Sequence, residues 1–142
     1  MSKTIQCDIV SAKELIYSGV ATIVIAHGVE GDLGIMPGHT ALLTQLAPGP
    51  IQVVHESGEV DFYYISAGFL EVQPNLVTVL ADFAERAKDI DEASAEAARK
   101  AALDILHNQQ SDLDTGAALA ALAEAAAQLR TLQQMRNRAG RG

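Results

Sequence analysis

Four histidines, His27, His39, His55 and His107, are the side chains best suited to hold a metal or to move a proton near neutral pH. They stand 12, 16 and 52 residues apart, with no His-x-His or His-Glu-x-x-His pair that would set two ligands on one face of a strand or helix. The paired histidines of a cupin-like binding barrel are missing for the same reason. The glycine-rich stretch from His27 to His39 has the look of a phosphate loop. It lacks the Gly-Lys-Ser/Thr ending and the G-x-G-x-x-G spacing, so its glycines are assigned to tight turns. Ser11, Ser18, Ser57 and Ser66 have no nucleophile-elbow context, and Cys7, in the first expected strand, reads as a small core or edge residue. No catalytic constellation assembles. Neither a metal nor any other cofactor is expected.

The frame that must carry these residues is small: 142 residues, room for one domain or for a small domain with an appendage. A formal net charge of −8 argues against the broad basic field that nonspecific nucleic-acid binding needs, and 49% hydrophobic residues suffice for a core. The single cysteine closes no intrachain disulfide and builds no Cys-rich metal site. No signal-peptide pattern follows the first residues. No run of 18 apolar residues occurs, since Glu124 interrupts the nearest candidate, so a soluble, unprocessed chain without direct membrane insertion is expected.

Two textures divide the chain. Up to Leu80 the apolar residues come in short β-rich bursts, Ile5 to Val10, Ala21 to Ala26, Ile51 to Val54, Phe62 to Ile65, Leu70 to Val72 and Leu76 to Leu80. Glycine and proline punctuate them, with Pro48-Gly49-Pro50 among the expected turns. Phe62-Tyr63-Tyr64-Ile65 and Thr22-Ile23-Val24-Ile25 are apolar on both faces, as inner strands or covered faces demand. The expected fold is β + α, an N-terminal antiparallel β-sandwich or flattened barrel over residues 1–88 and a C-terminal antiparallel two-helix hairpin over residues 89–142. The helical part rests on 14 alanines and no proline between Asp91 and Ala127. Asp91 is the expected N-cap of the first helix, and Ser111 or Asp112 that of the second, after a break from His107 to Gly116. The expected seam joins Ala97, Ala101 and Ile105 to Leu119, Leu122, Ala126 and Leu129.

Such a seam is a shallow well. A buried Leu or Ile contributes about 1.5 to 3 kcal/mol and an alanine methyl only about 0.8 kcal/mol. The hairpin is therefore expected to be detachable, with packed and extended forms close in free energy. Charge is uneven as well. Residues up to Asp89 hold 4 basic and 11 acidic groups, whereas the last fifteen residues hold Arg130, Arg136, Arg138 and Arg141 and no acid. That cationic tip suits an acidic partner or simply complements a helix dipole. Residues alone thus point to an interaction module. A free-standing adaptor and a small sugar- or nucleotide-binding sandwich with a helical tail both remain open.

Gly31-Asp-Leu-Gly-Ile-Met-Pro-Gly-His39-Thr-Ala-Leu-Leu43, Leu46-Ala-Pro-Gly49, Ser66-Ala-Gly-Phe-Leu-Glu-Val72, Val77-Thr-Val-Leu-Ala-Asp82 and the helix start at Asp89-Ile-Asp-Glu-Ala93 resemble the epsilon subunits of bacterial F-type rotary ATP synthases. The resemblance spans essentially the whole chain. It implies a non-catalytic central-stalk subunit of a proton-translocating complex, peripheral at the cytoplasmic face of the inner membrane. Its partners would be the gamma subunit, the c-ring and the alpha/beta catalytic hexamer. The sandwich would couple c-ring rotation to ATP synthesis, and the mobile hairpin would inhibit ATP hydrolysis.

The same resemblance implies roles for single residues. Asp32 and His39, in a turn from Gly31 to His39, match positions that meet the polar loops of the c-ring. Arg130, Arg136 and Arg138 match a helix that approaches an acidic segment of the beta subunits when the hairpin is extended. Some relatives bind ATP through Ile/Leu-Asp-x-x-Arg-Ala. Here the segment reads Ile90-Asp91-Glu92-Ala93-Ser94-Ala95, so Ile90 and Asp91 are kept and Ser94 stands where the arginine would be. A serine offers no forked cation to a phosphate, and Arg99 lies five residues further on, so weak or absent ATP binding is expected.

Overall fold

The computed structural model describes residues 3–108 and 112–140. In β1 (Ile5–Ser11), Ile5, Cys7 and Ile9 are buried, and the residues between them are partly covered, the alternation of a strand with one face on a core. There follow β2 (Leu15–Ala21), β3 (Ile23–Gly28), β4 (Gly31–Ile35), β5 (Leu42–Val54), β6 (Val60–Ile65), β7 (Gly68–Gln73), β8 (Leu76–Ala81) and β9 (Ala84–Arg86). A 3-10 turn at Ala87–Asp89 leads into α1 (Glu92–Asn108) and α2 (Asp112–Gly140).

The strands run β2-β1-β8-β7-β5-β3-β4, with β6 on β5 and β9 on β6. β1 and β8 pair in parallel, and the other pairings among the described residues are antiparallel. The 13-residue β5 closes the sandwich because it changes partner along its length. Leu42 to Leu46 pair with β7, and Gly49 to Val54 pair with β6. The expected turn at Pro48-Gly49-Pro50 is therefore the middle of a strand. Pro48 falls in the gap between the two ladders, where a missing N–H breaks no strand pairing. β2, β4 and β9 lie outside the expected bursts: β2 and β9 are interrupted by polar residues, and β4 by glycines that weaken the apolar pattern.

One core fills the sandwich, including Ile5, Ile9, Val24, Ile51, Tyr63, Ile65, Leu70 and Val79, and no described helix residue belongs to it. β6 explains its own apolar run. Tyr63 and Ile65 point into this core, while Phe62 and Tyr64 point the other way, into a second cluster with Ala87, Ile90, Ala127 and Leu132. All four are buried because the strand lies between the sandwich interior and the hairpin.

The hairpin differs from expectation in which faces it buries. Ala97, Ala101, Ile105, Leu119 and Ala126 are exposed, Leu122 and Leu129 half-buried, and Ala95, Ala102, Ala118, Ala125, Ala127 and Leu132 buried. Alanine occurs on every side of α2 and over about half the circumference of α1, too broadly in either helix to select the buried face by itself. A third body decides it, because α2 packs on α1 and also on β5 and β6. The break is shorter than His107 to Gly116, since α1 reaches Asn108 and α2 begins at Asp112. Asp112 is thus inside the second helix rather than before it, and Ser111 lies outside the described residues.

Candidate functional site

Asp91 sets the direction of α1. Its Oδ1 accepts the Ser94 N–H at 3.1 Å and its Oδ2 accepts the Ser94 hydroxyl at 2.8 Å, a side-chain cap on the first turn. These bonds hold the Asp91 carboxyl below the usual carboxylate range. Ser94, which stands where the resemblance would place an arginine, is thus a partner of the cap. Ile90 is buried in the second apolar cluster, and Arg99 donates from Nε to Glu96 Oε1 at 3.0 Å with a second, shorter contact from Nη2. The three candidate nucleotide residues are therefore engaged in a packed seam, a cap and an ion pair.

α2 is seated on the sandwich by apolar contact flanked by sparse polar ones. Leu132 and Ala127 meet Phe62, Tyr64, Ala87 and Ile90, with Val60 and Met135 at the margin. Gln134 Oε1 accepts from Gln52 Nε2, and Gln128 Nε2 donates to Glu85 Oε1, both at 3.3 Å. Burial pushes the Glu85 carboxyl above its ordinary range, opposed by the Gln128 bond and reinforced by Asp89. The Tyr64 hydroxyl is buried without a hydrogen-bond partner among the described residues. Burial raises its pKa, and the nearby Glu124 and Glu85 raise it further.

The structure gives the three arginines separate surroundings. Arg130 lines a cleft of about 250 Å³ with His27, Asp32, Gln52 and Gln134. Arg136 Nη1 donates to Glu92 Oε1 at 3.2 Å and Nη2 contacts Oε2, joining the end of α2 to the start of α1 and lowering the Glu92 pKa. Arg138 Nη2 donates to the Gly58 carbonyl at 3.3 Å, in the turn between β5 and β6.

Asp32 and His39 are not in one turn. Asp32 is on the edge strand β4, directly opposite His27 on β3, and its Oδ1 lies 2.7 Å from His27 Nδ1. The tight turn spans only Met36 to His39, closed by His39 N–H to Met36 O at 3.1 Å and anchored by Gly38 N–H to Pro74 O at 2.9 Å. Gly38 has φ +83°, so a side chain there would be strained. His39 is half-buried, its Nδ1 2.6 Å from the Thr40 carbonyl oxygen.

One surface was not anticipated. On the outer face of β1, β8 and β7, Val10, Leu80 and Phe69 stand in a row of directly paired residues, with Leu43 nearby on β5. Leu43 is 67% exposed, Phe69 50% and Leu80 42%, and Val10, Phe69 and Leu80 border a shallow depression of about 430 Å³. The signal was present in Leu76-Val-Thr-Val-Leu80, which has more apolar residues than a one-sided strand can bury. Among the described residues no cluster of three His, Cys, Asp or Glu could hold a metal ion, and no helix is long and apolar enough to cross a membrane.

Comparison with known proteins covers both halves. Residues 4–87 match the model of the ATP synthase, Delta/Epsilon chain, beta-sandwich domain, and residues 88–133 that of the ATP synthase, Delta/Epsilon chain, long alpha-helix domain. The chain is 59% identical over 136 residues to the ATP synthase epsilon chain of Chromohalobacter salexigens, covering 96% of each. It is equally 59% identical over 136 residues to that of Acinetobacter baumannii, covering 96% of this chain and 98% of the relative. The fold is shared with a chain of the Euglena gracilis mitochondrial ATP synthase OSCP/F1/c-ring assembly, at TM-score 0.81 and 24% identity over 88% of this chain and 79% of that one. A chain of the Tetrahymena thermophila central stalk and c-ring is more distant, at TM-score 0.51 and 19% identity over 62% and 69%. With both domain models matched in order and bacterial epsilon chains aligned along nearly its whole length, the chain belongs to the delta/epsilon chain family of ATP synthases.

Proposed function

We propose that this epsilon subunit, a non-catalytic part of its complex, couples c-ring rotation to ATP synthesis through its sandwich and restrains ATP hydrolysis through its hairpin. In this reading residues 1–88 bind the gamma subunit and the c-ring, and residues 89–142 regulate. The complex is proton-translocating and the subunit sits peripherally at the cytoplasmic face of the inner membrane. It meets the membrane only through the c-ring.

The observation that carries this reading is the independence of the two cores. Among the described residues the sandwich interior contains none from the hairpin, whereas the hairpin is seated through an alanine-containing seam and a few part-exposed polar contacts. Such a seam can separate without unfolding what it leaves behind. The apolar row Val10, Leu80 and Phe69 offers gamma a surface that the chain itself leaves open, and Asp32 and His39 with the exposed Met36 offer polar and soft contacts to c-ring loops. Arg130, Arg136 and Arg138 supply charge for the beta subunits once the hairpin extends. Exposed pairs contribute only about 0 to 1 kcal/mol each, so the three act together. The test is the ATP hydrolysis rate of the assembled complex with the full chain and with a chain ending at Lys88. A rise on truncation is the expected result, and an unchanged rate would leave the hairpin without a braking role.

A further inference from the structure

We propose that the cleft between the β8–β9 turn and α2 binds a small organic diamine, with its ammonium groups on the carboxylates of Asp82 and Glu124 and its hydrocarbon stem between them. The cleft has a volume of about 620 Å³. Asp82 and Phe83 form one wall, and Glu124 and Gln128 on α2 form the other. The first wall is fixed by the sheet: Ser66 Oγ accepts the Phe83 N–H at 3.1 Å, and the Asp82 N–H donates to the Ala67 carbonyl at 3.2 Å. Neither carboxylate is paired among the described residues, and Gln128 commits its Nε2 to Glu85, which leaves its Oε1 to accept. No Lys or Arg lines the cleft: Arg86 and Lys88 border a second one and Arg130 a third. An acceptor-rich hollow without a cation repels phosphates and carboxylates and attracts N–H donors that carry positive charge. Ile90, Asp91 and Arg99 do not line it either, so it is separate from the segment weighed for ATP.

A second observation points to a ligand. Tyr64 lines the cleft and is only 1% exposed, and its hydroxyl has no hydrogen-bond partner among the described residues. A buried hydroxyl without a partner destabilises the empty protein and favours whatever supplies one. Two loosely held side chains border the same cleft. Phe83, 48% exposed, tilts against the Tyr64 ring with centroids 6.3 Å apart, and neither Phe83 nor the exposed Glu124 belongs to a buried cluster. Either can turn aside to admit an ammonium group, which then meets the hydroxyl oxygen and the ring faces together. Among the described residues no three acids or histidines converge, so a bare metal ion finds no coordination shell here. Carboxylates on separate walls, with Phe83, Ala120 and Ala123 around them, suit two charges joined by an apolar stem, where a single lysine side chain offers one.

The test titrates the full chain with diaminobutane in calorimetry at about 0.15 M salt, where diffuse attraction to an acidic surface is screened. Saturable submillimolar binding is expected, and none of butanediol, which has the stem without the charges. Glu124→Gln and Asp82→Asn should each weaken binding about three- to tenfold, and Tyr64→Phe about two- to fivefold. Glu56→Gln, which removes an exposed acid of the β5–β6 turn, should leave it unchanged. Tyr64→Phe should also raise the thermal midpoint of the free chain, because it removes an unmatched buried hydroxyl, so its weaker binding cannot come from a damaged fold. No saturable binding, an affinity untouched by Tyr64→Phe or by Glu124→Gln, or equal weakening by Glu56→Gln would overturn the site. Binding of Nα-acetyl-lysine amide as tightly as the diamine would overturn the diamine and assign the cleft to a lysine side chain of a partner.

Discussion

Gly68 shows how tightly one residue is specified. A Cβ built on it would stand 1.9 Å from the Leu80 backbone oxygen and 2.8 Å from Ala81 Cα, so the strand carrying it has no freedom to accept even a methyl group. Gly68→Ala is expected to cost about 1 to 3 kcal/mol by forcing β7 and β8 apart, read as a lowered thermal midpoint of the isolated chain. Ser94 is specified in a different way. Its hydroxyl and N–H are committed to Asp91, and Arg99 is committed to Glu96, so titration of the isolated chain with ATP should show no micromolar binding in calorimetry. A saturable micromolar isotherm would overturn that expectation. Cys7, buried beside Asp8 with its thiol pushed up to about 12, is expected to resist alkylation in the native chain.

At the scale of elements, the docking of α2 is linked to pH through opposite signs. Glu85 has its docked pKa raised by burial, so its ionisation opposes docking and the penalty grows as pH rises through the ordinary carboxylate range into the raised one. Asp91 and Glu92 have lowered values, so what they add to the helix start is present above that range and is lost as pH falls through it. Glu85→Gln removes the first effect and spares an acceptor for Gln128. It is expected to raise the docked fraction at neutral pH, and to leave only the acid-side loss, measured by amide exchange in α2 between pH 3 and 8. A docked fraction unchanged at neutral pH would show that Glu85 is solvated well enough to carry no penalty.

At the scale of the molecule, the two faces of the sandwich are unequal. The hairpin covers the side of β6 that carries Phe62 and Tyr64, while the row Val10, Leu80 and Phe69 on the outer face of β1, β8 and β7 is left open. Phe69→Asp should leave the thermal midpoint within a few degrees, since the side chain is already half exposed, and should reduce recovery of the gamma subunit with the tagged chain. Normal recovery of gamma with a folded Phe69→Asp chain would assign gamma to another face.

Much of this architecture was legible in the chain before folding. The β texture, the alanine-rich hairpin and the Asp91 cap follow from propensity, period and capping chemistry, which act within a few residues. β5 was not legible, because its prolines mimic a turn and only the gap between two neighbouring ladders makes Pro48 harmless. The buried faces of the helices were not legible either, because alanine marks no side and the choice belongs to the sheet that α2 meets. The candidate sites divide in the same way: the family resemblance pointed to Asp32 and His39, and charge and resemblance together to the arginines, and the fold then paired Asp32 with His27, Arg136 with Glu92 and Arg138 with Gly58. By itself the sequence determined where the β texture gives way to the helical one and which charges each part carries. Only the tertiary structure decided which of those charges are already spoken for, because contacts between residues 44 and 80 positions apart exist only after the chain has closed on itself.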